Sequence, residues 1–167
     1  MSMRPERRTV DLSPYPDLVV IYLGMRVNKP GGVKTLVRFG RKIAASVAQK
    51  PDGLLLHEPI IFSLFPLHGG MRQYWRDFES LERWTRALPH QEWWISFLRD
   101  SGGTGFWHEA YFRRGGMEAI YDGLKTPIGF GAFAPVQPAH GAMFSARRRA
   151  AREGEEPPAP VAETEIL

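Results

Sequence analysis

The sequence predicts an α+β domain, an antiparallel sheet with helices on one face, and three observations predict it. Runs of β-branched and aromatic residues alternate with stretches of helical period. They come in the order strand, helix, strand, strand, helix, strand, with an extra hairpin strand behind. Glycine and proline punctuate most junctions. That order is the split βαβ arrangement of ferredoxin-like folds. Helices on one face leave the other face of the sheet uncovered, and a second copy laid against it is the economical way to bury it. The expectation is therefore a homodimer, a dimeric α+β barrel.

Residues 1–16 hold Pro5, Pro14 and Pro16 without periodicity and read as an N-terminal arm. Leu18–Leu23, rich in β-branched residues and bounded by prolines, reads as a central strand. From Val33 the period becomes helical. Val33, Leu36, Val37, Gly40, Ile43, Ala44 and Val47 form the expected apolar face, and Pro51-Asp52-Gly53 ends the helix. Gly53–Phe62 reads as extended, with Pro59 at an edge or bend because it has no N–H to give a ladder. Gly69-Gly70 reads as a turn into a strand from Met71, whose alternation sets Met71, Gln73 and Trp75 against Arg72, Tyr74 and Arg76.

Asp77 is the expected N-cap of a helix carrying Phe78, Leu81, Trp84 and Leu88, and Pro89 opens a second helical segment with Trp93, Trp94, Phe97 and Leu98. Ser101–Gly105 is a loop or lid. It enters a strand rather than a helix, which is the reverse of a phosphate-cradling loop. Phe106–Phe112 is a strand, and Met117–Tyr121 reads as a short edge strand after a Gly115-Gly116 turn. Coil to Phe144 completes a domain at 17–144, and the charged, proline-rich residues 145–167 read as a disordered tail.

The totals bound the function. A chain of 167 residues with 43% hydrophobic and 24% charged residues suits one globular core. With no cysteine, disulfides, thiolate metal sites, iron–sulfur clusters and a cysteine nucleophile are excluded. No apolar stretch approaches the roughly 20 residues of a membrane span, and the N-terminus lacks a signal-peptide pattern, so the expectation is a cytoplasmic protein. The net charge of +4 sits mostly at the ends, in Arg4, Arg7 and Arg8 and in Arg147–Arg149, so specific nucleic-acid binding is not expected.

Four blocks carry a resemblance: Tyr74–Trp84, Leu88–Trp94, Phe106–Tyr111 and Gly115–Tyr121. Together they resemble the monooxygenase-like family named after an enzyme of fungal fumagillin biosynthesis, related to the antibiotic-biosynthesis monooxygenases. The resemblance implies a dimeric α+β barrel and an oxygenase acting on a hydrophobic organic molecule in a pocket between sheet and helices. In its better-understood relatives oxygen chemistry can proceed without metal or flavin, the substrate itself supplying an electron-rich carbanion. Related dimeric barrels also include haem-dependent dehydratases and haem-degrading enzymes, so haem is the alternative cofactor. A non-catalytic small-molecule binding protein is the third reading.

Within that frame His108, His90 and Tyr74 are the candidate catalytic residues, and Trp75, Trp84, Trp94, Trp107 and Tyr111 the candidate substrate contacts. His108 and Glu109 are adjacent on a strand, so they point to opposite faces and cannot act as a close pair. His108 shares its face with Phe106, Ala110 and Phe112, as either a satisfied core histidine or a general base, proton shuttle or axial haem ligand. Glu109, beside Trp107, Tyr111 and Arg113, is expected to find an ordinary Arg or Tyr partner. His90 sits at a helix start, where the local dipole favours neutral imidazole, in either a structural N-terminal role or a site role. The tryptophans serve as core, as pocket wall, or as both. His57-Glu58 and His108-Glu109 do not make a two-histidine, one-carboxylate metal site, because each carboxylate lies beside its histidine rather than across from it. No metal is expected.

Overall fold

Alternating apolar residues give strands their two faces, and here that alternation settles which side chains meet the helices. A computed structural model describes residues 6–113, 117, 119, 121, 122, 129–144 and 148, apart from the side chains of Trp94, Leu98 and Asp122. The chain falls into two units, residues 17–112 and the terminal segments 1–16 with 113–167.

The first strand in chain order, β1 (Arg7–Val10), belongs to the terminal unit, and β2 (Val19–Val27) opens the larger one. There follow α1 (Gly32–Ala48), β3 (Leu54–Leu64), β4 (Leu67–Trp75), α2 (Phe78–Arg86), α3 (His90–Arg99) and β5 (Thr104–Phe112). The sheet order is β3-β4-β2-β5, with every neighbour antiparallel. This is the α+β ferredoxin-like fold. Leu18–Leu23 is central as expected, because β2 runs between β4 and β5. Pro59 sits on the edge strand β3, where the missing N–H costs nothing.

Register places Ile21 opposite Gln73 and Ala110, and Leu23 opposite Met71 and His108. These side chains face the helices. Tyr22, Arg72 and Glu109 stand opposite one another on the other face. The core is Val19, Ile21, Trp75 and Leu81, with Leu54 and Trp84 packed against it. Asp77 caps α2 as expected, its Oδ1 accepting the Ser80 N–H at 2.7 Å.

Three expectations are corrected. Gly69-Gly70 is not a turn but lies inside β4, paired to Ile61 and Ile60 and to Met25 and Gly24. The turn comes earlier, at Phe65-Pro66. Glycine is needed at 70 for close approach, since a Cβ there would strike the Leu23 carbonyl and lie 2.7 Å from the Phe62 ring. The second correction concerns α1, which is rotated from the expected face. Val33 and Val37 are 44% and 49% exposed, while Gly32, Thr35 and Ser46 are buried and Phe39 turns inward. Two satisfied hydroxyls explain it. Thr35 Oγ1 donates to the Gly102 carbonyl at 3.0 Å, and Ser46 Oγ accepts the Trp84 indole N–H at 3.2 Å.

The third correction is to the arm and the edge strand. β1 pairs with β6 (Tyr121–Asp122) and with β7 (Val136–Pro138) in a separate three-stranded sheet, so the expected edge strand does not join the main one. Buried Thr9 donates to the Ala119 carbonyl at 2.8 Å, and Arg113 reaches the Leu12 and Tyr15 carbonyls. The coil before Phe144 contains 3-10 turns at Gly129–Ala132 and Gly141–Phe144. The expected tail lies almost wholly outside the described residues, as do Gly115 and Gly116.

Candidate functional site

The helix-facing side of the sheet is apolar, and α1, α2 and α3 do not fill the space above it. A cavity of about 660 Å³ remains. Its floor is Ile21, Leu23 and Met25 of β2, Met71 of β4, and Phe106, His108 and Ala110 of β5. Phe39 and Ile43 of α1 wall it on one side, and Leu81, Trp84, Trp93 and Phe97 of α2 and α3 on the other. Polar groups come mainly from the helices: Glu82, Thr85, Arg86, His90 and Gln91, with Glu82 and Arg86 ion-paired at 2.7 Å. A volume of this size with a few polar groups is what a small organic ligand requires.

His90 is the unusual member. Its ring lies 3.8 Å from that of Trp84 and 4.7 Å from that of Trp93, centroid to centroid, and its buried Nε2 has no hydrogen-bond partner among the described residues. Burial pushes its pKa down to about 4, so the imidazole is neutral at physiological pH. A buried polar atom left unpaired costs on the order of 1–3 kcal/mol, which a ligand able to hydrogen-bond it would recover. His108 faces the same cavity from the sheet. It is exposed, with Phe106 at 5.9 Å, and so is not a core histidine.

The other expected site residues are elsewhere. Trp75 is fully buried behind Trp84, 5.2 Å ring to ring, and donates its indole N–H to Gln73 Oε1 at 3.1 Å. Gln73 in turn contacts His57 Nδ1 at 3.2 Å, so this tryptophan anchors a buried polar chain rather than a ligand. Tyr74, Trp107 and Tyr111 are on the opposite face of the sheet. Tyr74 lies beneath the Arg72 guanidinium, 5.4 Å from carbon to centroid. The Trp107 indole N–H donates to His68 Nε2 at 2.7 Å. Tyr111 donates to Glu109, the Tyr partner expected for that carboxylate. Trp94 has no described side chain.

That opposite face is polar where the cavity is apolar. Arg72 bonds Glu58 at 2.8 Å and the Tyr22 hydroxyl at 3.0 Å; burial works against its charge, but these partners outweigh it and raise its pKa. Glu58 is thus taken up by Arg72, on the face away from His57. Among the described residues no group of three His, Asp or Glu is arranged to hold a metal ion. Sequence reasoning missed Phe39, Ile43, Leu23 and Met25 as cavity wall. For β2 the signal was present, because placing Met71 and His108 on one face fixes Leu23 between them.

A split βαβ sheet with helices standing off one face over an apolar cavity defines a member of the ferredoxin-like α+β class. Within that class the chain belongs to the Monooxygenase af470-like family, whose model matches residues 18–130. No curated protein matches it in sequence. Among solved structures it is similar to an aldoxime dehydratase at 22% identity and a TM-score of 0.61, covering 80% of this chain and 39% of that one. A second aldoxime dehydratase, in complex with butyraldoxime, gives 23% identity and 0.62 over 80% and 38%. SnoaB, a cofactor-independent oxygenase from Streptomyces nogalater, gives 13% identity and 0.46 over 59% and 94%. The chain spans about two fifths of the length of the aldoxime dehydratases. The likeness to the aldoxime dehydratases is one of fold alone.

Proposed function

We propose that this chain is a monooxygenase that oxidises a hydrophobic organic small molecule in the cavity between sheet and helices, within a domain at 17–144. Family membership supports the reaction class. The observation that carries the site is the neutral, unpartnered Nε2 of His90 in an apolar cavity that His108 enters from the other wall. A substrate hydroxyl donating to His90 Nε2 would orient the molecule there, and His108 would take a proton from the neighbouring activated carbon of the substrate. The resulting carbanion would react with O2 directly, without a metal or flavin, the substrate itself being the reductant: one oxygen atom stays on that carbon as a carbonyl and the other leaves as water with the two hydrogens the carbon loses. Oxygen uptake with anthrone- and terpenoid-like compounds tests this. Uptake lost in His108→Ala and weakened in His90→Phe is expected; no uptake and no binding across the panel would overturn it.

The same nitrogen favours a second reading, haem binding. The unprotonated His90 imidazole facing an apolar cavity is the group that would hold haem iron, and haem would supply the redox chemistry there. A Soret band on haem titration, abolished by His90→Ala, is its requirement. We further propose a homodimer through the face of the sheet away from the helices, where Phe62 and Tyr111 are 37% and 49% exposed. A monomeric mass in light scattering would sink it. The proposed location is the cytoplasm; among the described residues no helix is long and apolar enough to cross a membrane.

A further inference from the structure

We propose that the tip of the β3–β4 hairpin, with the cationic segment beside it, docks this protein on the surface of an anionic phospholipid bilayer. The pairing of β4 with β2 stops at His68 opposite Arg26, whereas β3 and β4 continue to Leu64 opposite Leu67. β2 itself runs on to Val27, paired with Thr104 and level with Leu67, so the part of the hairpin that passes the end of the sheet is the Phe65-Pro66 turn. Its tip is apolar and out in solvent, with Phe65 97% exposed and Leu64 78%, and further back along the same edge strand Ile61, opposite Gly69, is 67% exposed. Isolated exposed apolar residues are ordinary, but three along one hairpin edge mark a contact surface.

Charge selects the occupant. β2 ends and β5 begins at this same end of the sheet. There the Asn28 and Lys29 amides bond the Gly103 carbonyl at 2.9 and 3.0 Å, and α1 starts at Gly32. Arg26, Lys29 and Lys34 are all exposed there, and the chain has no carboxylate at all between Asp17 and Asp52. The hairpin itself has none between Glu58 and Asp77. Asp100, in the adjoining loop, is the acidic exception, and its Oδ1 accepts the Gly102 N–H at 2.8 Å. Insertable aromatic and aliphatic side chains among lysines and arginines are the composition of an interfacial anchor, in which acyl burial and attraction to acidic headgroups add.

Area argues against a second protein copy as the occupant. A stable interface needs about 800 Å² from each partner with a complementary surface, and three side chains along one hairpin edge fall short of it. A bilayer needs no complementary shape. The inference does not rest on the proposed reaction, and its test reads no activity.

Because the chain has no cysteine, a Leu64→Cys variant of the full chain carries one environment-sensitive nitrobenzoxadiazole label at the tip. The label is expected to brighten and shift to the blue with phosphatidylcholine–phosphatidylserine vesicles, and to lose that response in high salt. Phe65→Asp, at an almost fully exposed position, should lower vesicle binding about ten-fold or more with an unchanged circular dichroism spectrum. Each of Lys29→Glu and Lys34→Glu should lower it about five-fold. No response to phosphatidylserine vesicles overturns the proposal, and so does salt-indifferent binding to phosphatidylcholine alone. A label response without vesicles that tracks a rise in molecular mass overturns it too, by seating the tip on a second copy.

Discussion

The two faces of one sheet, built from the same strands, have been given opposite chemistry. On the helix side of β2, β4 and β5, Leu23, Met71 and His108 meet a cavity with one buried polar atom unsatisfied among the described residues. On the far side, one residue along, Tyr22, Arg72 and Glu109 take part in hydrogen bonds. A side whose described polar groups are paired offers a small molecule little to hold, whereas one that leaves a buried imidazole nitrogen open has kept capacity for a ligand. The difference teaches that strand parity, more than residue type, separates site from scaffold here. Five tryptophans and several tyrosines looked alike in sequence, and parity sorts them.

The largest expected effect is on the helix side. Trp75→Ala removes a fully buried indole from between Trp84 and Gln73 and is expected to cost about 3–5 kcal/mol in urea denaturation. A loss below about 1 kcal/mol would show that Trp75 is no anchor. On the far side, Arg72→Met separates Arg72 from both Glu58 and Tyr22. It should cost about 1–2 kcal/mol while leaving ligand affinity in the cavity unchanged. A matching loss of affinity would break the division between the faces.

His90 gives the comparison a pH signature. Its pKa is depressed from 6.5 to about 4 in the folded protein, so between those values the unfolded chain binds the extra proton. Stability contributed by the neutral ring is present above pH 6.5 and is lost as the pH falls toward 4. With the ring only half buried, solvent screening reduces the loss to about 1–2 kcal/mol. His90→Phe should abolish this part of the acid dependence, measured as the difference between denaturation midpoints at pH 7 and pH 4.5. An unchanged slope would place the acid sensitivity on other groups, such as His57, which burial also holds low against the pull of Glu58.

How far the sequence revealed this follows from the same logic. Strands whose residues alternate cleanly, such as β4 from Met71 onward, were legible in both existence and face. The Asp77 cap and the edge position of Pro59 were legible because each rests on one backbone group. The face of α1 was not, because burial of Thr35 and Ser46 depends on the Gly102 carbonyl and the Trp84 indole, far away in sequence. β1 escaped for the same reason. Arg7–Val10 has no alternation to show, and its partners lie more than a hundred residues later. At the site, His90 and Trp84 could be nominated by type, but only tertiary packing leaves the His90 Nε2 without a partner.

The smallest effect tests parity most directly, because it compares two neighbours on β5. Both His108 and Glu109 are exposed, so His108→Gln and Glu109→Gln should each change stability by no more than about 0.5 kcal/mol. Their consequences should still differ. His108→Gln alters the cavity floor and should weaken ligand binding; Glu109→Gln should leave binding untouched and act on Tyr111 instead. The Tyr111 phenol is held above its ordinary value, first by its hydrogen bond to Glu109 and then by burial and the carboxylate's charge. Removing the charge should bring that one phenol, among five tyrosines, back down. Ultraviolet titration of tyrosinate reads it as an earlier onset in the variant. If Glu109→Gln instead changed ligand binding and left the titration as it was, Glu109 would face the cavity and the assignment of the two faces would fall.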